Sequence, residues 1–330
     1  MKNKKLLISS SSKYPRLHFT TISKNNPLQP PVFCMVLRKY LTGGRIIDIY
    51  QQSTDRIVSI DIANKDKIDT LIACLKELGL NPLLSSIFYK KQGPFNGTGQ
   101  ERADVLNTYF NDPNIKAIFD LSGGDLSNET LDYIDFQTIS DNPKPFFGYS
   151  DLSTLLNAIN TKSHIATYHY QLRHLIGRNS LEQKEYFLNS FMKSNMPKFK
   201  YEFIRGSQME GIVIGGNIRC LLKLIGTKYQ PDFNNKILFL ESLSGDCAKM
   251  ATFLRQYKQI GAFDNLNGII LGTFTEMEKE KYKPTIEEMI ISLVDSSIPI
   301  AKSLELGHGE DCKCIIIGNH YSLKKQKLEV

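Results

Sequence analysis

Apolar segments of strand length alternate with helical stripes along much of this 330-residue chain. Arg56–Ile62 has the β-branched, apolar character of a strand, whereas Lys65–Leu78 spaces its apolar residues mainly three or four positions apart, as a helix does. We expect a further strand near Leu83–Tyr89, a helix over Gln100–Phe110 and a strand over Ile115–Leu121. This alternation predicts an α/β fold with a parallel sheet, whose ligand-binding loops follow the carboxyl ends of the strands.

A serine follows another short, strand-like segment. Pro145–Phe147 precedes Gly148–Asp151, and the apolar run Leu152–Ile159 comes directly afterwards. The pattern predicts a strand, a sharp turn and a helix. Such a turn lifts the hydroxyl of Ser150 away from the sheet edge and exposes it to a substrate.

Two residues further along the chain complete a candidate catalytic set. Glu241 follows the apolar segment Lys236–Leu240, and His308 lies between Gly307 and Gly309. A nucleophile, an acid and a base in this order suggest a serine hydrolase. In such a site the imidazole takes the hydroxyl proton, and the carboxylate orients the imidazole.

The turns beside this set offer backbone N–H groups for an oxyanion. We expect those of Asp151 and Gly124 to be the donors, because glycine at such a turn leaves room for the approaching carbonyl. The residues that we expect to contact the substrate are Gly123, Tyr149, Gly216 and Asn217.

Each assignment has an alternative. Ser150 could instead cap the helix that begins near Leu152, and the acid could be Asp246 or Glu210. The glycines before Asn217 could pack a helix closely rather than bind a substrate. The other candidates for the base are His164, His169, His174 and His320, the first three of which are alternatively cleft-wall or surface residues.

Composition places the chain among ordinary globular proteins. Hydrophobic residues make up 41% and charged residues 23%, and no apolar run approaches the roughly 20 residues that span a bilayer. The six scattered cysteines are expected to be reduced thiols in a cytoplasmic protein with no membrane partner. We expect no cofactor and no metal; the alternative is a metal site formed by Cys312, Cys314 and His308.

The basic charge lies at the start of the chain. Residues 1–64 hold ten Lys and Arg against three Asp, a net charge of +7 that equals the charge of the whole chain. The simplest interpretation is a domain boundary near Asn64.

This basic segment contains YPRLHFT, NPLQPPVFCMVLRKYLTGGRI and DRIVSIDI. It resembles a fragment of the NFACT N-terminal domain, which occurs in fibronectin-binding proteins and a bacterial ribosome quality-control factor. In that family an Asp-Arg pair contributes to tRNA binding, and Asp55 and Arg56 match that pair. We interpret the fragment as an appendage, because the rest of the domain is missing. Binding of nucleic acid through its excess positive charge is the alternative.

Residues 65–320 resemble the LD-carboxypeptidase family, which includes the microcin-immunity serine peptidases. The segments that carry the resemblance include Gly97–Thr98, Glu101–Asp104, Gly123–Gly124, Asn142–Lys144, Gly148–Leu152, Gly215–Asn217, Gly226–Thr227, Pro231–Phe233, Ile237–Glu241, Gly268–Gly272 and Gly307–His308. The resemblance implies a Rossmann-like N-terminal peptidase domain and a C-terminal β/α domain, preceded here by the basic segment. We expect these at residues 65–175 and 201–330, with 176–200 as a linker and 1–64 as the NFACT-like fragment. One departure is that Arg56–Asn64 stands where relatives usually have a strand ending in Pro-Ser-Ser.

The resemblance also implies an activity. The expected reaction is hydrolysis of the L-D amide bond of the murein tetrapeptide, with release of terminal D-alanine during peptidoglycan recycling. The expected catalytic residues are Ser150, Glu241 and His308, and the expected assembly is a homodimer acting on a small, peptide-like substrate. One alternative is an amidase for aminoacyl-nucleotides of the microcin C type. Another is an RNA- or ribosome-associated protein that uses Arg38, Lys39, Arg45 and Arg56.

Overall fold

A computed structural model gives the fold of this chain. It describes residues 5–9, 13–14, 16–22, 45–51, 58–63, 65–88, 97–193, 195–309 and 311–325. The chain divides into two compact units, residues 1–70 and residues 71–330.

The first unit contains two antiparallel strand pairs. β1 (Lys5–Ser9) pairs with β2 (Arg16–Thr20), and β3 (Arg45–Gln51) pairs with β4 (Val58–Ala63). The strand predicted over Arg56–Ile62 therefore corresponds to β4. The pair Asp55 and Arg56, to which the NFACT resemblance points, lies outside the described residues.

Helices and short strands alternate through the rest of the chain. The described helices are α1 (Lys65–Glu77), α2 (Gly99–Asn111), α3 (Phe136–Asp141), α4 (Ser153–Ser163), α5 (Ser180–Phe187), α6 (Ile218–Leu222), α7 (Cys247–Gln259), α8 (Thr275–Glu280) and α9 (Ile286–Leu293). The remaining strands are β5 (Ile118–Phe119), β6 (Phe146–Gly148), β7 (Thr167–His169), β8 (Glu202–Arg205), β9 (Gln208–Asn217), β10 (Lys236–Ser242), β11 (Gly268–Phe274), β12 (Ile300–Lys302), β13 (Ile315–Ile317) and β14 (His320–Lys324). Within the described residues, no helix is both long and apolar enough to cross a membrane.

Two sheets organise the second unit. The smaller sheet has the order β13-β7-β6-β5, in which β5, β6 and β7 are parallel and β13 is antiparallel to β7. The larger sheet has the order β14-β9-β10-β11-β12-β8, with four parallel inner strands and an antiparallel strand at each edge. The predicted α/β fold, with a Rossmann-like part followed by a β/α part, is confirmed.

The core follows from the composition of the central strands. Ile237–Leu240 in β10 and Ile269–Leu271 in β11 are completely buried. Parallel strands are covered on both faces, so their sequences are continuous apolar runs rather than alternating patterns. Burying each such side chain contributes about 1.5–3 kcal/mol, which makes these strands the framework that positions the loops at their carboxyl ends.

Some predicted elements differ from the structure. The strand expected near Leu83–Tyr89 is wrong over residues 81–88, which form irregular coil and then a turn. The strand expected over Ile115–Leu121 shortens to β5, whereas the expected helices match α1 and α2 to within a residue or two. The expected linker, residues 176–200, contains the helix α5.

Candidate active site

The predicted strand, turn and helix around Ser150 are present. β6 ends at Gly148, Ser150 begins a short 3-10 turn, and α4 follows from Ser153. Ser150 has φ = 57°, a left-handed conformation that few residues other than glycine adopt. A Cβ atom at Gly148 would lie 2.8 Å from Cβ of Leu152, so the turn needs glycine there. The sequence thus forms a sharp elbow that presents the serine at the carboxyl end of its strand.

Glu241 and His308 meet beyond the carboxyl ends of two strands, β10 and β12, which β11 separates in the larger sheet. Glu241 lies near the end of β10 and is completely buried, and His308 lies in the loop that follows β12. Nδ1 of His308 is 2.5 Å from Oε2 of Glu241, and the amide Nδ2 of Asn217 donates to Oε1 at 3.2 Å. The carboxylate therefore has a partner on each oxygen, and the imidazole keeps Nε2 for another partner.

Tyr149 holds the histidine loop from the serine side. Its hydroxyl donates a hydrogen bond of 2.5 Å to the carbonyl oxygen of Gly307, and its ring centroid lies 4.5 Å from that of His308. Burial raises the pKa of Tyr149 well above its usual value, so the hydroxyl keeps the proton that it donates. The ring and hydroxyl of Tyr149 contact this loop and the ring of His169, and its predicted contact with the substrate remains a prediction.

Gly307 is required by the packing of the same loop. Its φ is +103°, and a Cβ atom there would lie 2.6 Å from Oγ1 of Thr273 and 3.1 Å from Cβ of Glu241. The glycine before His308 therefore lets the loop pass close to the acidic residue that the histidine contacts.

The serine hydroxyl itself is free within the part of the chain that the structure describes. No hydrogen bond links Oγ of Ser150 to another described residue, whereas its neighbour Tyr149 contacts His308. The structure brings the acid and the base together and places the serine next to a residue that packs on the base. Catalytic hydrogen bonds often tighten only when substrate binds, so the expected bond between hydroxyl and imidazole stays a prediction.

The two predicted oxyanion donors have N–H groups without an internal acceptor. Within the described residues, neither the N–H of Asp151 nor that of Gly124 donates a hydrogen bond to the protein. Gly124 has φ = +111°, and a Cβ atom at Gly123 or Gly124 would meet no atom within 4 Å. Open space and unused donors are what an incoming carbonyl needs.

Gly216 and Asn217 make contacts inside the protein. A Cβ atom at Gly216 would lie 2.9 Å from Cβ of Ser153, and the N–H of Asn217 donates to Oγ of Ser153 at 2.8 Å. The side-chain oxygen of Asn217 accepts from the N–H of Cys220, which caps α6. The packing alternative considered for this glycine pair is therefore observed, and binding of the substrate by Gly216 and Asn217 remains a prediction.

The alternative acids have other partners. Asp246 caps α7 by accepting from the N–H of Lys249, and Glu210 lies 3.4 Å from the ring of His320 on the surface. Neither residue contacts His308 in the described structure, so Glu241 is the carboxylate that the geometry places on the base.

His169 is the functional candidate that sequence reasoning underestimated. It is completely buried, so the interpretation as a surface residue is wrong. Its Nε2 lies 4.0 Å from Oε1 of Glu241, and neither ring nitrogen has a hydrogen-bond partner in the described residues. Burial lowers the pKa of His169 to about 4, which keeps the ring neutral beside the carboxylate. Its position at the end of β7, beside the end of β6, was the available signal.

The alternative metal site has no geometric support among the described residues. They contain no cluster of three or more His, Cys, Asp or Glu side chains that could hold a metal ion. Burial also raises the pKa of Cys312 to about 12, which disfavours the thiolate that a metal would bind. The absence of a metal requirement stays a prediction.

Comparisons with known proteins agree with this arrangement. Residues 57–170 match the LD-carboxypeptidase N-terminal domain, residues 210–323 match the LD-carboxypeptidase C-terminal domain, and residues 1–75 match the NFACT N-terminal and middle domains. The chain is 28% identical over 269 residues to a probable murein peptide carboxypeptidase of Bacillus subtilis, covering 76% of this chain and 82% of that protein. It is 27% identical over 254 residues to the microcin C7 self-immunity protein MccF of Escherichia coli, covering 64% and 72%.

A solved structure shows the same fold. The MccF-like protein of Bacillus anthracis superposes with a TM-score of 0.69 at 30% identity, covering 79% of this chain and 89% of that one. The two matched domains account for most of the chain. The predicted serine lies in the first domain, and the predicted acid and base lie in the second. The chain therefore belongs to the LD-carboxypeptidase family and is an enzyme of the serine carboxypeptidase type.

Proposed function

We propose that this enzyme is a metal-independent LD-carboxypeptidase that removes the terminal D-alanine from murein tetrapeptide in the cytoplasm. The observation that carries the proposal is the pair formed by Glu241 and His308 together with the elbow of Ser150. Nδ1 of His308 is bound to Glu241, and among the described residues Nε2 has no hydrogen-bond partner. The similarity to a probable murein peptide carboxypeptidase supports this choice of substrate.

The proposed reaction has two steps on one serine. Oγ of Ser150 attacks the amide carbonyl while Nε2 of His308 accepts the hydroxyl proton, and Glu241 stabilises the resulting imidazolium. The N–H groups of Asp151 and Gly124 stabilise the negative oxygen. The C–N bond then breaks, and His308 returns the proton to the amine of D-alanine. Water, activated by the same imidazole, hydrolyses the acyl-enzyme and restores Ser150.

An amidase for aminoacyl-nucleotides is the second candidate. The same chemistry would serve it, and the similarity to MccF and to an MccF-like structure favours it. The two candidates differ in the leaving group, which is D-alanine in the first and the amine-bearing nucleotide part in the second.

The test compares the wild-type enzyme with Ser150→Ala and with Ser207→Ala, an exposed serine that serves as a matched control. Each protein is incubated with murein tetrapeptide and, separately, with an aminoacyl sulfamoyl adenosine, and the products are quantified by mass spectrometry. We expect the wild type to release D-alanine, and the Ser150 variant to lose about 10⁴–10⁶ in kcat with its fold intact. Unchanged hydrolysis by Ser150→Ala would contradict the serine mechanism. Turnover of the nucleotide substrate alone would favour the second candidate, and a large loss on adding a chelator would contradict metal independence.

A further inference from the structure

We propose that Lys223 is a positioning residue that holds the two proposed oxyanion donors in place relative to each other; the inference rests on the proposed function. Nζ of Lys223 lies 2.5 Å from Oδ1 of Asp151 and 2.7 Å from the carbonyl oxygen of Asp125. One ammonium group therefore binds two residues. Asp151 carries the first proposed donor N–H, and Asp125 directly follows Gly124, which carries the second.

The elbow end of this bridge is fixed by further bonds. The side chain of Asp151 is almost fully buried, and its Oδ2 accepts from the N–H of Ser127 at 2.9 Å. The hydroxyl of Ser127 donates in turn to the carbonyl oxygen of Asp151 at 2.8 Å. Charge-assisted bonds of this kind are short and about twice as strong as neutral ones, so Asp151 is a firm anchor.

The glycine end of the bridge depends much more on Lys223. Residues 123–125 are exposed, and among the described residues their backbone takes part in one hydrogen bond, from Nζ of Lys223 to the oxygen of Asp125. The carboxylate of Asp125 pairs with Arg219 and lies 3.8 Å from Nζ of Lys223. A two-glycine segment has large conformational freedom, so without this tether its N–H would not keep one direction.

The tether also connects the two matched domains. Lys223 directly follows α6 in the C-terminal domain, whereas Asp125 and Asp151 belong to the N-terminal domain. A positively charged side chain from one half of the enzyme thus sets the spacing of two loops in the other half. Removing one oxyanion donor lowers kcat about 10²–10³-fold. We therefore expect a misplaced donor to lower kcat about 10–100-fold.

The test measures how fast a fluorophosphonate labels Ser150, together with kcat and KM on the tetrapeptide. In the labelling reaction the serine oxygen displaces fluoride from phosphorus, and the phosphoryl oxygen occupies the oxyanion position, so the rate does not depend on the natural substrate. We expect Lys223→Met to lower both the labelling rate and kcat about 10–100-fold with KM changed less than about threefold. Lys223→Arg should recover most of the rate, because a guanidinium also reaches two acceptors. Lys249→Met, at an exposed lysine on α7, is the matched control.

A double variant separates the tether from the effect of an unpaired charge. Lys223→Met leaves the buried carboxylate of Asp151 without its charged partner, which can destabilise the fold and slow the enzyme for that reason alone. The double variant Asp151→Asn with Lys223→Met has neither charge, so no carboxylate is left unpaired. It still lacks the bond from Lys223 to the carbonyl oxygen of Asp125, so we expect its labelling rate and kcat to stay low. A double variant that is labelled as fast as the wild type would overturn the inference, and so would Lys223→Met labelled at the wild-type rate. In either case, labelling of the wild type at Ser150 would still support the proposed function. A wild-type enzyme that is not labelled at Ser150 would overturn both.

Discussion

His169 shows how a single buried side chain can shape the surroundings of the proposed catalytic carboxylate. Its neutral ring lies 4.0 Å from Glu241 and contacts the rings of Tyr149 and Phe239 at centroid distances of 5.1 and 5.3 Å. A charged ring here would compete with His308 for the carboxylate. The low pKa that burial imposes prevents that competition at neutral pH.

The same pKa predicts a dependence of stability on pH. The pKa of His169 is about 4 in the folded protein against 6.5 for an ordinary histidine. Between these values the unfolded chain binds a proton that the folded protein does not, so the free energy of unfolding falls as pH falls from 6.5 to 4. We expect this slope to be steeper in the wild type than in His169→Gln by about 1 kcal/mol per pH unit. Urea unfolding between pH 5 and 6 measures both slopes, and equal slopes would contradict the argument.

The contact between the proposed acid and base was predictable at this scale, whereas the surroundings of that pair were not. Apolar runs place Ser150 and Glu241 at strand ends, the flanking glycines single out His308, and the bond between Glu241 and His308 is present. The burial of His169 depends on strands far apart in the chain that pack around it. No local pattern encodes that environment.

At the scale of elements, the elbow is the feature on which the proposed chemistry depends. Gly148 lies in β6 with all its neighbours buried, and its missing side chain makes room for Leu152 of the following turn. The left-handed serine costs conformational energy of order 1–3 kcal/mol, which the packing of this turn must offset.

Gly148→Ala should therefore impair the enzyme more than an ordinary core substitution. The new methyl group would lie 2.8 Å from Leu152, so the turn must shift and carry Ser150 with it. We expect a loss of about 1–3 kcal/mol in the free energy of unfolding and about 10²-fold in kcat.

Gly177→Ala is the matched control for this substitution. A Cβ atom there would lie 3.4 Å from the carbonyl oxygen of His174, a distance that a small adjustment accommodates. Thermal unfolding and tetrapeptide turnover compare the two variants. Equal effects of the two substitutions would show that the elbow has no special constraint.

The mistaken strand near Leu83–Tyr89 also has a local cause. Its apolar residues suggest a strand, but Leu83 is 65% exposed and does not pack in the core. The hydroxyl of Ser85 accepts from the N–H of Ile87, and the carbonyl oxygen of Ser85 accepts from that of Phe88. Side-chain bonding of this kind competes with a strand ladder and forms a turn instead.

At the scale of the second unit, a polar seam joins the two matched domains. Asn157 of α4 donates to the carbonyl oxygen of Gly215 at 2.7 Å and accepts from its N–H at 2.9 Å. β14 covers the outer edge of β9 only as far as Ile212, so the helix satisfies the backbone groups that no strand reaches. Thr154 and Ser153 add bonds to Cys220 and Asn217 along the same seam.

Asn157→Leu should test this seam. The substitution leaves the buried N–H and carbonyl of Gly215 without partners, each at a cost of about 1–3 kcal/mol. We expect a loss of about 2–4 kcal/mol in the free energy of unfolding, measured in urea, with a single transition in the wild type. Asn128→Leu, at an exposed asparagine, is the control. A similar small effect of both substitutions would contradict the seam's role.

The two-domain α/β organisation was predictable from the order of its motifs, but this seam was not. In the sequence, Asn157 is a residue in a predicted helix, and Gly215–Asn217 is a segment expected to bind substrate or pack a helix. Their pairing depends on how two sheets lie together, which a single sequence does not express. The division at residue 70 and the predicted boundary near Asn64 fall close to each other, although the individual domain boundaries remain predictions.

The most direct test of the central claim is a crystal structure of the enzyme after reaction of Ser150 with a phosphonate. The claim is that hydroxyl, imidazole and carboxylate form one catalytic set. It predicts that Nε2 of His308 lies within about 3 Å of the phosphonylated serine oxygen or of the site that the leaving group vacates on phosphorus. Nδ1 of His308 should still be hydrogen-bonded to Glu241. The phosphoryl oxygen should lie about 2.7–3.1 Å from the N–H donors of Asp151 and Gly124. An adduct in which His308 stays beyond hydrogen-bond reach of Ser150, with the phosphoryl oxygen in solvent, would contradict it.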